Sequence, residues 1–442
     1  MMRILIPFVY FIAGATALAG VATTFYFKED LQLTIVQAQI LGSISVIPWS
    51  IKPLYGFFSD RVPVFRFRRK PYLFLAGILG FAGYVSLATW VTSFTGAATA
   101  LFISAVGFAI ADVIVDGIVA EHSRTQKEAG KLQSICRAAL LTGALIVSYL
   151  SGILVEWIGP RNVFFLTGML PVLTMVFAFL LTETPHYGIS TGLIAGAKET
   201  WRLIRQAIRP EILWAAAFLL LWRSTPSSGG AFNYYLIDEL HFQPEFFGRL
   251  SLISHVMGIV GVLIFRKWLM SIPLKVLFFW IMVASVVLSL PTMGLIYGWY
   301  LYLGVSPEFF AMADTLISAP LSEIGFLPLM VLIARVCPKG VEATMFALLA
   351  SLANIGLVFS DVGGAFLSKI FNVRQATDTL PANYENLHIV MWIAILSSFL
   401  PLIILRRLPE TRATDELTVG EPAPSGEVPI AVPLEPGKQE IG

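Results

Sequence analysis

The sequence predicts an all-α membrane protein in which twelve transmembrane helices form two six-helix bundles. Hydrophobic residues make up 57% of the 442 positions and charged residues only 13%, about half the charged fraction of a typical soluble domain. Apolar runs of about 20 residues, long enough to cross a bilayer as a helix, recur between short polar connections. A short internal repeat divides these runs into two sets of six.

The predicted spans follow one another almost to the end of the chain. In chain order they are 4–27, 37–58, 72–93, 97–120, 132–156, 162–182, 211–236, 245–265, 274–295, 308–334, 342–368 and 386–405. We expect the first to be a span rather than a cleaved signal peptide, because its apolar character continues to Phe27. Gly and Pro interrupt residues 291–310, where a re-entrant loop is an alternative.

Lysine and arginine are unevenly divided between alternate connections. The even-numbered connections carry 17 of them and the odd-numbered connections carry five. Because basic loops stay on the cytoplasmic side, the even connections and both termini are predicted to be cytoplasmic. The densest stretch, 61–70, holds five basic residues.

The longest internal connection, 183–210, is the predicted cytoplasmic linker between an N-terminal bundle, 1–182, and a C-terminal bundle, 211–407. Residues 25–33, FYFKEDLQL, resemble residues 234–242, YYLIDELHF, at the same point of each half. Such a repeat favours two halves of parallel topology. Residues 408–442 are rich in Pro and Glu, which predicts a disordered cytoplasmic tail.

Some function classes are disfavoured. The sequence contains no G-x-x-x-x-G-K-[ST] phosphate-binding loop, so ATP-driven pumping by this chain is not expected. Its two cysteines, Cys136 and Cys337, are too few for a metal cage or a disulfide framework. We expect a monomer that is not an enzyme and that needs no cofactor, metal or nucleic acid.

Charged residues inside predicted spans are candidates for function. Three basic residues remain there after all others are assigned to loops and termini: Lys52, Arg137 and Arg223. A charge at the bilayer centre costs about 2.5 to 3.5 kcal/mol, so each should face a partner or a water-filled cavity. Asp112 and Asp116 share one face of the fourth span, where two carboxylates repel unless a cation or a donor-rich ligand lies between them. Similar depth predicts that Asp116 lies close to Arg137.

These charges have two interpretations. They form a structural network that braces the cytoplasmic side, or they line a substrate cavity. For Asp116 and Arg137 the two are equally supported, whereas Asp112, one turn deeper, is predicted to face the cavity.

Arg223 lies near the middle of the seventh span and is followed by the residues STPSSGG. Pro226 and the two glycines should loosen this helix, which is acceptable where the freed backbone groups face protein or water. An arginine near Asn233 and Tyr234 suits an anionic, aromatic ligand, because the guanidinium binds a carboxylate and the ring stacks on a heterocycle. The alternative is a kink that only lets helices pack.

Glu323 and His255 are the predicted proton-coupling residues, since both lie at mid-depth in their spans. A buried carboxyl group and a histidine can each exchange protons near neutral pH as access alternates. The alternative for His255 is a buried histidine with satisfied hydrogen bonds. Asp314 and Asp361 lie nearer the outer face and are expected only to rim the cavity.

The motifs resemble those of a known family. Residues 49–60, WSIKPLYGFFSD, are followed by RRKPY at 68–72 and DVIVD at 112–116. The loop is similar to the G-x-x-x-D-R signature of the major facilitator superfamily, and the set resembles the folate-biopterin transporter family of cyanobacteria, plastids and trypanosomatid parasites. The resemblance implies that Asp60 and Arg69 clamp the cytoplasmic gate.

The resemblance also implies a substrate. The 2-amino group and ring N–H of a pterin suit Asp112 or Asp116, and the carboxylates of the p-aminobenzoyl-glutamate tail of a folate suit Arg223, Arg137 or Lys52. The chain is therefore expected to move folates or related pterins by alternating access, coupled to protons, in a plasma (inner) membrane or a plastid envelope. The alternatives are a transporter of another organic anion and a non-transporting receptor or scaffold.

Overall fold

A computed structural model describes residues 2–122, 126–183, 208–337, 342–376 and 381–409, together with positions 185, 198, 202 and 205. Within these ranges the chain is helical, apart from two isolated β-bridges that join Val64 to Phe67 and Arg374 to Asn383. Most of the predicted linker and nearly all of the predicted tail lie outside the described residues.

The first half contains helices α1 to α7. Their bounds are α1 (Met2–Ala15), α2 (Ala19–Phe25), α3 (Ile35–Ser50), α4 (Lys52–Arg61), α5 (Lys70–Thr89), α6 (Phe94–His122) and α7 (Gln126–Leu180). A 3₁₀ turn (Thr16–Leu18) joins α1 to α2, and a π-helical turn (Tyr26–Asp30) extends α2. Together these elements form the first predicted span.

The second half contains helices α8 to α17. Their bounds are α8 (Pro210–Arg223), α9 (Gly229–Asp238), α10 (Pro244–Ile264), α11 (Leu274–Leu288), α12 (Leu290–Ile296), α13 (Trp299–Leu303), α14 (Pro307–Val336), α15 (Glu342–Ile370), α16 (Leu387–Ser397) and α17 (Leu402–Leu405). A π-helical turn (Phe265–Leu269) extends α10.

Nine helices in the described residues are long and apolar enough to cross a membrane. One of them, α7, covers two predicted spans, because Gly159 (φ 79°) and Pro160 turn the chain between them. The predicted spans 37–58 and 211–236 are each divided into two shorter helices. The all-helical, multi-pass architecture is confirmed, and the total of twelve crossings stays a prediction.

Proline accounts for the division of the predicted spans 37–58 and 211–236. Pro53 enters α4 in its first turn, where a missing N–H costs little, and Ile51 before it leaves the helical region. Lys52 therefore begins a new helix, which the sequence analysis did not predict. Pro226 lies between α8 and α9, so Arg223 ends α8, in agreement with the predicted loosening.

The two halves meet along two helix pairs, α3 with α15 and α7 with α10. The second pair approaches closely because it lacks side chains at the contact: a Cβ on Gly152 would lie 2.4 Å from the carbonyl oxygen of Pro244. Within the halves, α1 and α5 pack on α7, and α10 and α11 pack on α14. Polar residues that face the interface between halves are therefore candidates for the substrate path.

Candidate functional site

Lys52 and Asp112 form an ion pair within the first half. The distance from Lys52 Nζ to Asp112 Oδ2 is 2.5 Å, and the two side chains are 22% and 19% exposed. Lys52 Nζ also lies 4.5 Å from the centroid of the Trp49 ring. Each predicted substrate residue is thus neutralised by the other, in a place where both side chains stay partly exposed.

Asp116 lies one turn along α6 from Asp112 but has a different contact. The buried hydroxyl of Tyr10 on α1 donates a short hydrogen bond to Asp116 Oδ1. The two carboxylates on this helix face are therefore stabilised separately, by a lysine and by a tyrosine.

Arg137 contacts the other half of the molecule. Its Nη2 lies 3.5 Å from Glu323 Oε2, and its guanidinium lies 5.5 Å from the centroid of the Phe326 ring. The expected proximity of Arg137 to Asp116 is therefore not the pairing that forms. The arginine is 44% exposed, so this contact between α7 and α14 lies in an open part of the interface.

The predicted proton-coupling residues lie near one another. A Cβ on Gly258 of α10 would lie 3.5 Å from Glu323 Cγ, and Gly258 is about one helical turn from His255. His255 Nδ1 lies 2.8 Å from the Ser251 carbonyl oxygen and 3.0 Å from Ser148 Oγ on α7. Nδ1 of His255 thus has hydrogen-bond partners, and its contact with Ser148 links the two halves.

Arg223 has no hydrogen-bond acceptor or ion-pair partner among the described residues. Its backbone and Cβ pack on α15, where a Cβ on Gly356 would lie 2.7 Å from Arg223 Cβ. The residue is only half-buried. A cation without a protein partner inside a membrane protein is costly, and an anionic ligand would remove that cost.

Asn233 and Tyr234 line a cavity of about 190 Å³ between the two halves. The cavity also contains Asp361 of α15, whose carboxylate has no hydrogen-bond or ion-pair partner in the described part of the chain. Gln39 of α3 lies in the same wall, and its Nε2 donates to the Ser227 carbonyl oxygen at 2.9 Å. Two predicted substrate residues are therefore next to an acid that the sequence analysis placed only at the rim.

Asp60 and Arg69 form the ion pair that the loop motif suggested. Arg69 Nη2 lies 2.7 Å from Asp60 Oδ1, and Nη1 donates to Ser59 Oγ at 3.0 Å. Glu183, which the sequence analysis assigned to the linker, accepts the backbone N–H groups of Arg68, Arg69 and Lys70. It therefore caps α5 and fixes the loop that carries the pair.

The two halves are joined at the end of the molecule that is predicted to be extracytoplasmic. Lys28 Nζ lies 2.6 Å from Asp238 Oδ1, and the Tyr384 hydroxyl donates to Asp238 Oδ2 at 2.6 Å. Burial and the hydrogen bond to Asp238 raise the pKa of Tyr384 above its usual range, so it remains a donor. Gln375 bonds the backbone of Leu33 and Ile35. The two repeat segments, 25–33 and 234–242, thus contact each other here.

Replacing Asp238 with asparagine should weaken the contact between the two halves at this end, because it removes the negative charge that Lys28 binds. The reporter is a Thr24→Cys variant in a background without Cys136 and Cys337, labelled by a membrane-impermeant maleimide. We expect its labelling to rise about fivefold for each 1 kcal/mol lost from the free energy that holds the halves together at this end. Asp30→Asn is the matched control, because Asp30 pairs with Arg161 within one half. Equal labelling in Asp238→Asn and Asp30→Asn would show that the pair does not hold the halves together.

Solved structures of transporters share this fold. A D-xylose–proton symporter aligns with a TM-score of 0.67 at 16% identity, covering 93% of this chain and 99% of the symporter. A nucleoside transporter aligns with a TM-score of 0.66 at 12% identity, covering 92% and 99%. These are major facilitator transporters, so the predicted fold class is confirmed.

The family follows from sequence. The profile described as the BT1 family matches residues 13–428. The chain belongs to the BT1 family. The folate-biopterin transporter of Synechocystis sp. is 37% identical over 405 residues, covering 91% of this chain and 80% of the relative.

More distant BT1-like relatives cover the chain equally well. Folate transporter 2 of Plasmodium falciparum is 24% identical over 406 residues, covering 91% of this chain and 87% of the relative. Probable folate-biopterin transporter 2 of Arabidopsis thaliana is 28% identical over 411 residues, covering 89% and 79%. These relatives are transporters rather than enzymes, and the resemblance found at residues 49–60, 68–72 and 112–116 extends over most of the chain.

Proposed function

We propose that this BT1 family member moves folates or related pterins across a membrane by alternating access between its two halves. The proposal rests on one observation above all, the half-buried guanidinium of Arg223 without a partner among the described residues. The carboxylates of a folate tail supply the anion that this cation lacks. The names of the relatives favour the same substrate class.

Competition in cells tests the substrate class. Cells expressing the chain should accumulate labelled folate above cells with an empty vector, and excess unlabelled biopterin should suppress the accumulation. Citrate, an anion without a pterin ring, serves as the control and should have no effect. Suppression by citrate but not by biopterin would favour a transporter of other organic anions.

Proton coupling is the second part of the proposal. Glu323 and Arg137 join the two halves through a single ion pair. Protonation of the carboxylate would remove that attraction and let the halves separate at this contact.

The proposal also includes the setting of the protein. The chain acts as a monomer in a plasma (inner) membrane or a plastid envelope, with both termini cytoplasmic.

Glu323→Gln should uncouple uptake from the proton gradient, because glutamine fills the same volume but cannot change its charge. We expect an imposed pH gradient to stimulate folate uptake by the wild type and to have no effect on the variant. The measurement is initial uptake into vesicles with and without the gradient. A variant that keeps the wild-type response would move the coupling role to His255, whose His255→Asn variant is tested in parallel.

A further inference from the structure

The mainly apolar wall of the cavity between the halves contains polar atoms that the protein itself does not satisfy. Gln39 and Tyr234 are 5% and 2% exposed, yet Gln39 Oε1 and the Tyr234 hydroxyl have no hydrogen-bond partner. Buried polar atoms are rarely left in this state, and each such atom calls for an explanation. Both residues line the cavity of about 190 Å³, so a bound molecule is the explanation that the position suggests.

Asp361 adds a charge to the same wall. Its Oδ2 lies against α3, 3.4 Å from where a Cβ on Gly42 would be, and its carboxylate is unpaired within the described residues. Gln39 Nε2 is held by the Ser227 carbonyl oxygen, which leaves Oε1 as the acceptor. The cavity therefore presents a carboxylate that needs N–H donors, and Gln39 Oε1, buried in its wall, is an acceptor without a donor.

The size and walls of the cavity favour a flat ring over a bare metal cation. Its volume of about 190 Å³ is more than ten times the roughly 10 to 15 Å³ that a cavity needs to hold one water molecule, far more than one desolvated cation fills. Phe27 contributes an aromatic wall, and Asn233 offers both a donor and an acceptor. A heterocycle with two adjacent N–H groups and ring acceptors matches this set, because a carboxylate binds paired N–H donors well.

We infer that the Asp361 cavity binds the pterin ring, with the Asp361 carboxylate accepting the 2-amino and ring N–H groups. This inference rests on the proposed function and assigns the ring to a different site from Asp112 and Asp116, which already have protein partners. Arg223 lies beside Gly356 of α15. Gly356 is five residues from Asp361, so the two lie about 7 Å apart along the axis of that helix. The ring of a folate would thus lie at the Asp361 carboxylate on α15, and its anionic tail at Arg223, which packs on the same helix.

Three probes separate the two ends of the ligand. Biopterin carries the ring without the tail, p-aminobenzoyl-glutamate carries the tail without the ring, and folate carries both. Binding of each to the purified full-length protein in detergent is measured by isothermal titration. Asp361→Asn should weaken folate and biopterin binding about 30-fold or more, while p-aminobenzoyl-glutamate binding stays within about twofold of the wild type.

Further variants keep the test decisive. Asp314→Asn is the matched control, because Asp314 bonds Thr292 inside the second half and should leave all three affinities unchanged. Tyr234→Phe removes one hydroxyl and should weaken only the two ring-bearing probes, about threefold to tenfold. If Asp361→Asn fails to fold, Tyr234→Phe still tests whether the ring binds in this cavity.

Several results would overturn the assignment. Wild-type affinity of Asp361→Asn for biopterin and folate would place the ring elsewhere and leave folate transport intact as a proposal. Unchanged affinities together with a lost dependence on sodium ions or protons would assign the cavity to a cation. If the wild type binds none of the three probes, the proposed function itself fails, which the other outcomes do not imply.

Discussion

Arg223→Ala is expected to insert and fold like the wild type and to take up no folate. Loss of a bidentate contact between arginine and a carboxylate costs about 3 kcal/mol or more, which corresponds to a loss of about 100-fold in uptake at low substrate. Folding should survive because Arg223 has no partner among the described residues, so its removal leaves no protein acid unpaired. Initial uptake is compared with the amount of folded protein in the membrane.

Two further arginine variants sharpen this result. Arg223→Lys keeps the charge but loses the planar fork, so we expect an intermediate loss of about tenfold. Arg249→Ala is the matched control, since Arg249 is half-exposed and pairs with Glu245 on its own helix. Wild-type uptake by Arg223→Ala would contradict the role of this residue in binding the tail.

Lys52→Met is expected to destabilise the protein by about 3 kcal/mol, because it leaves the Asp112 carboxylate largely buried without a counter-charge. The double variant Lys52→Met/Asp112→Asn removes both charges and should recover most of that stability. Thermal unfolding in detergent measures the coupling between the two sites.

Uptake by the double variant then separates the two interpretations of the pair. If Lys52 and Asp112 bind substrate when the ion pair opens, the double variant folds but takes up no folate. If the pair only braces the first half, the double variant recovers both folding and uptake. We expect the second result, because Lys52 and Asp112 already neutralise each other and the proposed sites for the two ends of a folate are Asp361 and Arg223.

Sequence patterns predicted the features that depend on one segment. The apolar runs predicted the helices, Pro226 predicted the division between α8 and α9, and the resemblance of the loop to a family motif implied the contact of Asp60 with Arg69, an ion pair of 2.7 Å. Each is a local consequence of hydropathy, of a missing backbone N–H or of a short loop. These features could be read without knowing how the halves pack.

Contacts between distant segments could not be predicted in this way. Depth in the membrane suggested Asp116 as the partner of Arg137, but depth does not say which helix lies opposite, and the partner is Glu323, 186 positions away. For the same reason the role of Glu183 could not be predicted. Its carboxylate follows α7 and accepts hydrogen bonds at the start of α5, which is more than 100 positions away. Asp361 was noticed as a charge inside a span, but its cavity is made by residues from both halves.

Counterflow through the purified protein tests the central claim most directly. Proteoliposomes loaded with unlabelled folate and diluted into a trace of labelled folate need no ion gradient to drive exchange. The account predicts a transient accumulation of label above its external concentration, abolished by Arg223→Ala and preserved by Arg249→Ala. Label that never exceeds the level of protein-free vesicles, with correctly folded wild-type protein in the membrane, would contradict folate transport by this chain.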